Sequence, residues 1–183
     1  MLIFISSLLH PGEPVPINRK STRLPKENYL GERAYFITVC CDHRHPYLGD
    51  PDTAQAILRI LLQSAASRSF LIHAYCVMPD HFHVLAQGAH PTSNALEFIR
   101  VFKLCTAFQF KRESKKKLWE LSYHDHILRK PREIEDVACY IWWNPVRKGL
   151  CEQPVEYPFS GSQTIPWMKV SQSPPKWSAP WKL

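Results

Sequence analysis

Tyr75 to Gly88 reads YCVMPDHFHVLAQG. Pro79-Asp80 interrupts two apolar runs rich in β-branched and aromatic residues, and a Pro-Asp pair favours a tight turn. FLIHAYCVM (70–78) and HFHVLAQ (81–87) are therefore expected as an antiparallel pair of strands. Strand residues two apart share a face, about 6 to 7 Å apart along the backbone. His81 and His83 thus turn two imidazoles to one side, and Phe82 turns to the other. That is chelating geometry, but an HxH by itself more often marks two exposed or hydrogen-bonded histidines. A structural zinc site is disfavoured, because no Cys/His pair at zinc-finger spacing completes four ligands.

Upstream, RAYFITVCC (33–41) has strand composition, and the fold is expected to start near Tyr29. Asp50 caps and Pro51 opens a helix through Ser69, where Ala54, Ile57, Leu58, Leu61 and Leu62 keep helical spacing. Downstream, Thr92 or Ser93 is expected to cap a second helix, NALEFIRVFKLCTAFQFKRES (94–114). Its face is read as Leu96, Ile99, Phe102 or Lys103, and Phe110. LSYHDHILR (121–129) reads as a last strand or extended segment. A third helix starts around Pro131 and runs to Asn144, where Pro145 removes a donor and kinks or ends it. This order predicts an α+β, ferredoxin-like sandwich: a mainly antiparallel β-sheet with helices packed on one face.

The 183 residues fit one domain that buries its core without disulfides. We divide them into a flexible arm (1–22), the domain (23–161) and a flexible Pro/Ser/Trp tail (162–183). The tail tryptophans, Trp167, Trp177 and Trp181, suit base stacking or docking on the protein's own surface. Met1–Leu9 is apolar but short and lacks a basic flank, so it reads as neither signal peptide nor membrane span. Six cysteines without a CxxC pair suit a reducing, cytoplasmic setting.

Lys and Arg number 23 against 16 acids, a formal charge of +7. The excess gathers in Lys111-Arg112, Lys115–Lys117, Arg129-Lys130-Pro131-Arg132 and Arg147-Lys148. Such clusters suit a polyanion or a solvated basic face. YIWWNPVRKGL (140–150) places Tyr140 and Asn144 four apart, on one side of the third helix. A tyrosine beside a metal can attack a phosphodiester whose non-bridging oxygen the ion polarises. Asn144 offers a third, neutral ligand oxygen, and the set suits Mg²⁺ or Mn²⁺.

Five motifs occur in order: YFITVC (35–40), VMPDHFHVL (77–85), YHDHILR (123–129), YIWWNPVRKGL (140–150) and YPFSG (157–161). In these the chain, over about residues 23–161, resembles the single-tyrosine HUH transposases, and more closely their REP-associated tyrosine transposase branch. The resemblance implies an HUH endonuclease fold and cleavage of single-stranded DNA beside hairpins. It also implies a 5′-phosphotyrosine intermediate that can rejoin strands. It makes Tyr140 the nucleophile, and His81, His83 and Asn144 the metal ligands. The basic clusters make Arg129, Lys130, Arg132, Arg147 and Lys148 the expected DNA contacts, with structural salt bridging the equal alternative for Arg129 and Arg147. His124, Asp125 and His126 fall in a family motif without an assigned role. Lys148 and Cys151 depart from the family's usual small residue and Val. The expected setting is a bacterial, nucleoid-associated monomer or homodimer, with no membrane. The alternative is a catalytically idle, domesticated DNA-binding module on the same fold.

Overall fold

The computed structural model describes residues 25–166 and 173–180. The expected arm over 1–22, Trp167 and Trp181 lie outside the described residues. After a 3-10 turn at Lys26–Tyr29 come β1 (Ala34–Cys40), α1 (Pro51–Ser67), β2 (Phe70–Met78) and β3 (His81–Gly88). They are followed by α2 (Ala95–Ser114), β4 (His124–Ile127), α3 (Glu133–Trp142), a single turn α4 (Asn144–Arg147) and β5 (Ser160–Gly161). The five strands form one antiparallel sheet in the order β4-β1-β3-β2-β5. Pro79-Asp80 makes the turn between β2 and β3, so Met78 pairs directly with His81.

All seven residues of β1 are buried, which means the sheet is covered on both faces. On the first face Tyr35, Ile37 and Val39 join Phe82 and Val84 under Ile57 and Leu61 of α1 and Phe98 and Phe102 of α2. On the second, Phe36, Cys76, Met78 and Leu85 pack against Val137, Ala138, Ile141 and Trp142 of α3. The α+β sandwich is therefore as expected for α1 and α2, but α3 lies on the opposite face from them. These four side chains need a sheet surface of their own. Each large side chain so buried contributes about 1.5–3 kcal/mol.

Two local expectations are corrected. Asn94, not Thr92 or Ser93, caps α2, accepting from the Glu97 N–H at 3.1 Å. Ser93 is otherwise engaged: its buried hydroxyl donates to the Ser69 carbonyl at 2.8 Å and accepts from the His90 N–H. The third helix stops at Trp142, and Asn144 opens the separate turn α4 with Pro145 in its first positions.

The YPFSG segment closes the sheet. The Tyr157 hydroxyl donates to the Val77 carbonyl at 2.8 Å, and Trp142 Nε1 donates to the Gly161 carbonyl at 3.0 Å. A Cβ at 161 would lie 2.5 Å from the Tyr75 hydroxyl, so any larger residue there must displace that ring. Beyond it, the described tail residues lie on the body. Gln163 N–H donates to the Ile72 carbonyl, Thr164 bonds His73 at 2.7 Å, and Trp177 packs into the second-face cluster. No helix among the described residues is long and apolar enough to cross a membrane.

Candidate active site

The site forms between the second sheet face and α3. Alternation along β3 sends His81 and His83 to that face, and Phe82 into the opposite core. Both histidines are buried, at 2% and 0% exposure, so each ring must satisfy its nitrogens within the protein. His81 Nδ1 donates to the Asp80 carboxylate at 2.6 Å, and His83 Nδ1 bonds the Thr38 hydroxyl at 2.7 Å. Their Nε2 atoms face each other at 3.1 Å. Two lone pairs at that distance repel unless a proton or a cation lies between them.

Electrostatics follow from this packing. Burial, then the neighbouring His81 charge, hold His83 well below its ordinary pKa of 6.5. Its bond to His81 keeps the Asp80 carboxyl below the usual range, and Arg44, 3.3 Å away, adds to this. His83 is thus neutral and metal-competent at neutral pH, and Asp80 fixes the tautomer of His81.

Tyr140 reaches the same place from α3. Its ring centroid lies 6.4 Å from that of His83 and 5.9 Å from that of Phe36, which separates the two elements like a spacer. Asn144 is one turn further on. Its Nδ2 donates to the Tyr140 and Ile141 carbonyls at 3.0 and 3.2 Å, and its side chain also bonds His83. The carboxamide is therefore held rigidly beside the histidine pair. Among the described residues no three His, Cys, Asp or Glu side chains gather as ligands, and the neutral donor beside the histidine pair is the Asn144 carboxamide. Two imidazole nitrogens and one amide oxygen fit a divalent cation with positions left open.

Arg147 lies over the nucleophile candidate. Its guanidinium carbon is 4.2 Å from the Tyr140 ring centroid, and Nη2 donates to the Tyr140 carbonyl at 3.1 Å. The residue is exposed, and partial desolvation against the protein draws its pKa below 12.5. Trp177 contacts the other side, its ring 5.0 Å from Tyr140 and 5.5 Å from Phe36.

The structure thus brings His81, His83, Tyr140, Asn144 and Arg147 together. Arg129 lines a separate cavity at the β4 edge, while Lys130 and Arg132 are exposed on the turn before α3, and Lys148 beyond α4. Thr38, Asp80 and Phe36 were not singled out from sequence. Asp80 carried a signal, standing next to His81, but Thr38 meets His83 only through the β1–β3 register.

Three comparisons bear on this arrangement. Residues 31–143 match the family model described as "Transposase IS200 like". A REP-associated tyrosine transposase of Escherichia coli K12 is 26% identical over 136 residues, covering 72% of this chain and 78% of that protein. A Haemophilus influenzae protein assigned to the same group is 27% identical over 138 residues, covering 69% and 77%. Among solved structures, a REP-associated tyrosine transposase bound to a REP hairpin superposes with a TM-score of 0.61 at 24% identity. That alignment covers 72% of this chain and 78% of the other, and supports the fold. Since the family model spans more than half of the chain and includes both histidines and the tyrosine, the protein belongs to the IS200-like transposase family and is a DNA strand transferase.

Proposed function

We propose that the protein binds hairpin-containing single-stranded DNA, cleaves it with Tyr140 through a 5′-phosphotyrosine, and rejoins strands. The observation that carries this reading is the convergence of the His81–His83 Nε2 pair, Asn144 and Tyr140 on one sheet face. The solved relative's REP hairpin supports the choice of DNA. Processing of repetitive extragenic palindromes, or transposition, in the bacterial cytoplasm is the corresponding role.

His81, His83 and Asn144 would hold the ion, Mg²⁺ or, with two imidazoles, preferably Mn²⁺. When bound it supplies Lewis-acid polarisation of a non-bridging phosphate oxygen. Tyr140 Oη forms a bond to phosphorus as the bond from phosphorus to the 3′-oxygen breaks. The phenol gives up its proton, and the departing oxygen ends as a 3′-OH. Arg147, against the ring, offsets the negative charge that grows on the phenol oxygen. Phe36 and α3 fix the ring so that little reorganisation accompanies attack. Attack of the free 3′-OH on the phosphotyrosine reverses the sequence and reseals DNA.

The test is a labelled hairpin from DNA flanking the protein's own gene, incubated with Mn²⁺ or EDTA and run on a denaturing gel. The expected result is a metal-dependent protein–DNA adduct, absent in Tyr140→Phe. Tight hairpin binding unaffected by chelator, with no adduct under any condition, would establish the idle binding module instead.

A further inference from the structure

The lysine clusters around Lys111 and Lys115–Lys117 take no part in the chemistry above, and they belong to the other side of the sheet. α2 packs on the face opposite α3. Lys115, in the left-handed region at φ 62°, ends the helix and lets the chain turn back along it. The returning segment is pinned. Leu118 and Trp119 are buried beside Phe102, and Trp119 Nε1 donates to the Thr106 hydroxyl at 2.8 Å. The Lys103 ammonium, reaching over from α2, donates to the carbonyls of Glu120 and Leu121 at 2.9 and 3.0 Å. Between helix and segment a groove of about 640 Å³ stays open, with Leu104, Ala107 and Leu121 along it.

The groove combines exposed apolar surface with unpaired positive charge. Leu104 is 59% exposed, Phe108 one turn further on 70%, and Leu121 94%, so three of the seven large apolar side chains exposed among the described residues gather here. Five lysines and one arginine line the same groove against one acid, Glu120. Some of these cations are already engaged: Arg100 pairs with Glu97, Lys117 with Asp42, and Lys103 with the carbonyls. Lys111, Lys115 and Lys116 are exposed and have no carboxylate partner among the described residues. DNA phosphates would answer these lysines but leave the leucines in water, and a leucine offers a base no ring to stack on. A second copy of this chain would bring like charge against like. A peptide carrying both acids and large apolar side chains matches both properties at once.

We propose that the groove along α2 is a docking site for a protein partner, bound through an acidic, amphipathic peptide segment. The partner's apolar side chains lie between Leu104 and Leu121, and its carboxylates face Lys111, Lys115 and Lys116. Because α2 and α3 cover opposite faces of the sheet, a partner seated here leaves the catalytic face open to DNA.

Panning a random peptide library on the full chain, then measuring a labelled enriched peptide by fluorescence anisotropy, tests the site. The enriched sequences are expected to combine Asp or Glu with Leu, Ile or Phe. Leu104→Ser and Lys111→Glu each weaken that peptide about tenfold, and since both residues are exposed, thermal unfolding shifts little. Leu104→Ser also leaves hairpin binding unchanged. Leu71→Ser, at an exposed apolar residue outside the groove, leaves the peptide bound as before. The docking site is overturned if no acidic, apolar sequence is enriched or if the enriched peptides ignore both groove substitutions. It is equally overturned if Leu104→Ser weakens hairpin DNA instead, which would make the groove a DNA surface. Tyr140→Phe binds the peptide like the parent, so loss of docking and loss of the DNA adduct are read separately.

Discussion

The two sides of β3 differ in kind although their residues alternate one by one. Phe82 and Val84 face α1 and α2, where Phe82 packs 5.1 Å from Phe102, ring to ring, in an apolar layer. His81 and His83 face α3, where a chain of hydrogen bonds runs from Asp80 through both rings to Thr38. One side is held by burial, which is non-directional and shared among many neighbours. The other is held by directed bonds between buried polar groups, each of which needs its partner. Substitutions should therefore separate stability from chemistry according to the face they strike.

The largest separation is expected at Tyr140. Removing one hydroxyl in Tyr140→Phe should abolish the covalent adduct on denaturing gels while thermal unfolding shifts little. An adduct that persists would break the comparison at its centre. Next, on the apolar face, Phe82→Ala should cost about 3–5 kcal/mol in denaturant unfolding, the usual range for a fully buried aromatic. A loss below 1 kcal/mol would mean the layer is far less tightly packed than it looks.

Asp80→Asn should weaken Mn²⁺ binding about 10- to 100-fold by calorimetry, as loss of a histidine-orienting carboxylate does, with a small change in melting. An unchanged metal affinity would remove Asp80 from the site. Acid sharpens the contrast further. Unfolded His83 binds a proton as pH falls through 6.5, but the folded ring, its pKa depressed by burial, does not. Metal-free protein should therefore lose stability below that pH, by at most about 1.4 kcal/mol per pH unit, levelling off once the folded ring also titrates. His83→Gln should flatten the profile. The smallest effect is expected at a helix end, where Asn94→Ala removes the α2 cap and costs about 1 kcal/mol.

Much of this was legible residue by residue. The β2–β3 pair follows from period-two patterning around Pro79-Asp80, and α1 from Asp50, Pro51 and its apolar spacing. Both signals are local, so they survive without knowledge of the rest of the chain. The α2 cap was not legible, because Thr92, Ser93 and Asn94 all have suitable oxygens. The choice fell to Asn94 once Ser93 was bound to Ser69, 24 residues away. The position of α3 was equally hidden. An amphipathic helix announces an apolar face, but not which side of a sheet it will cover.

The sequence by itself determined the strand and helix order, the pairing of two imidazoles on one side of β3, and the ordered motifs that mark the family. These depend on backbone periodicity and on residue identity. Tertiary structure alone decided that Tyr140 and Asn144 meet those imidazoles, that Thr38 holds one of them, and that Trp177 rests on the tyrosine. Each of these contacts joins segments tens of residues apart. Those of Tyr140, Asn144 and Trp177 exist because α3 buries its apolar face on the one sheet surface that α1 and α2 leave uncovered, and that of Thr38 because β1 lies beside β3 in register.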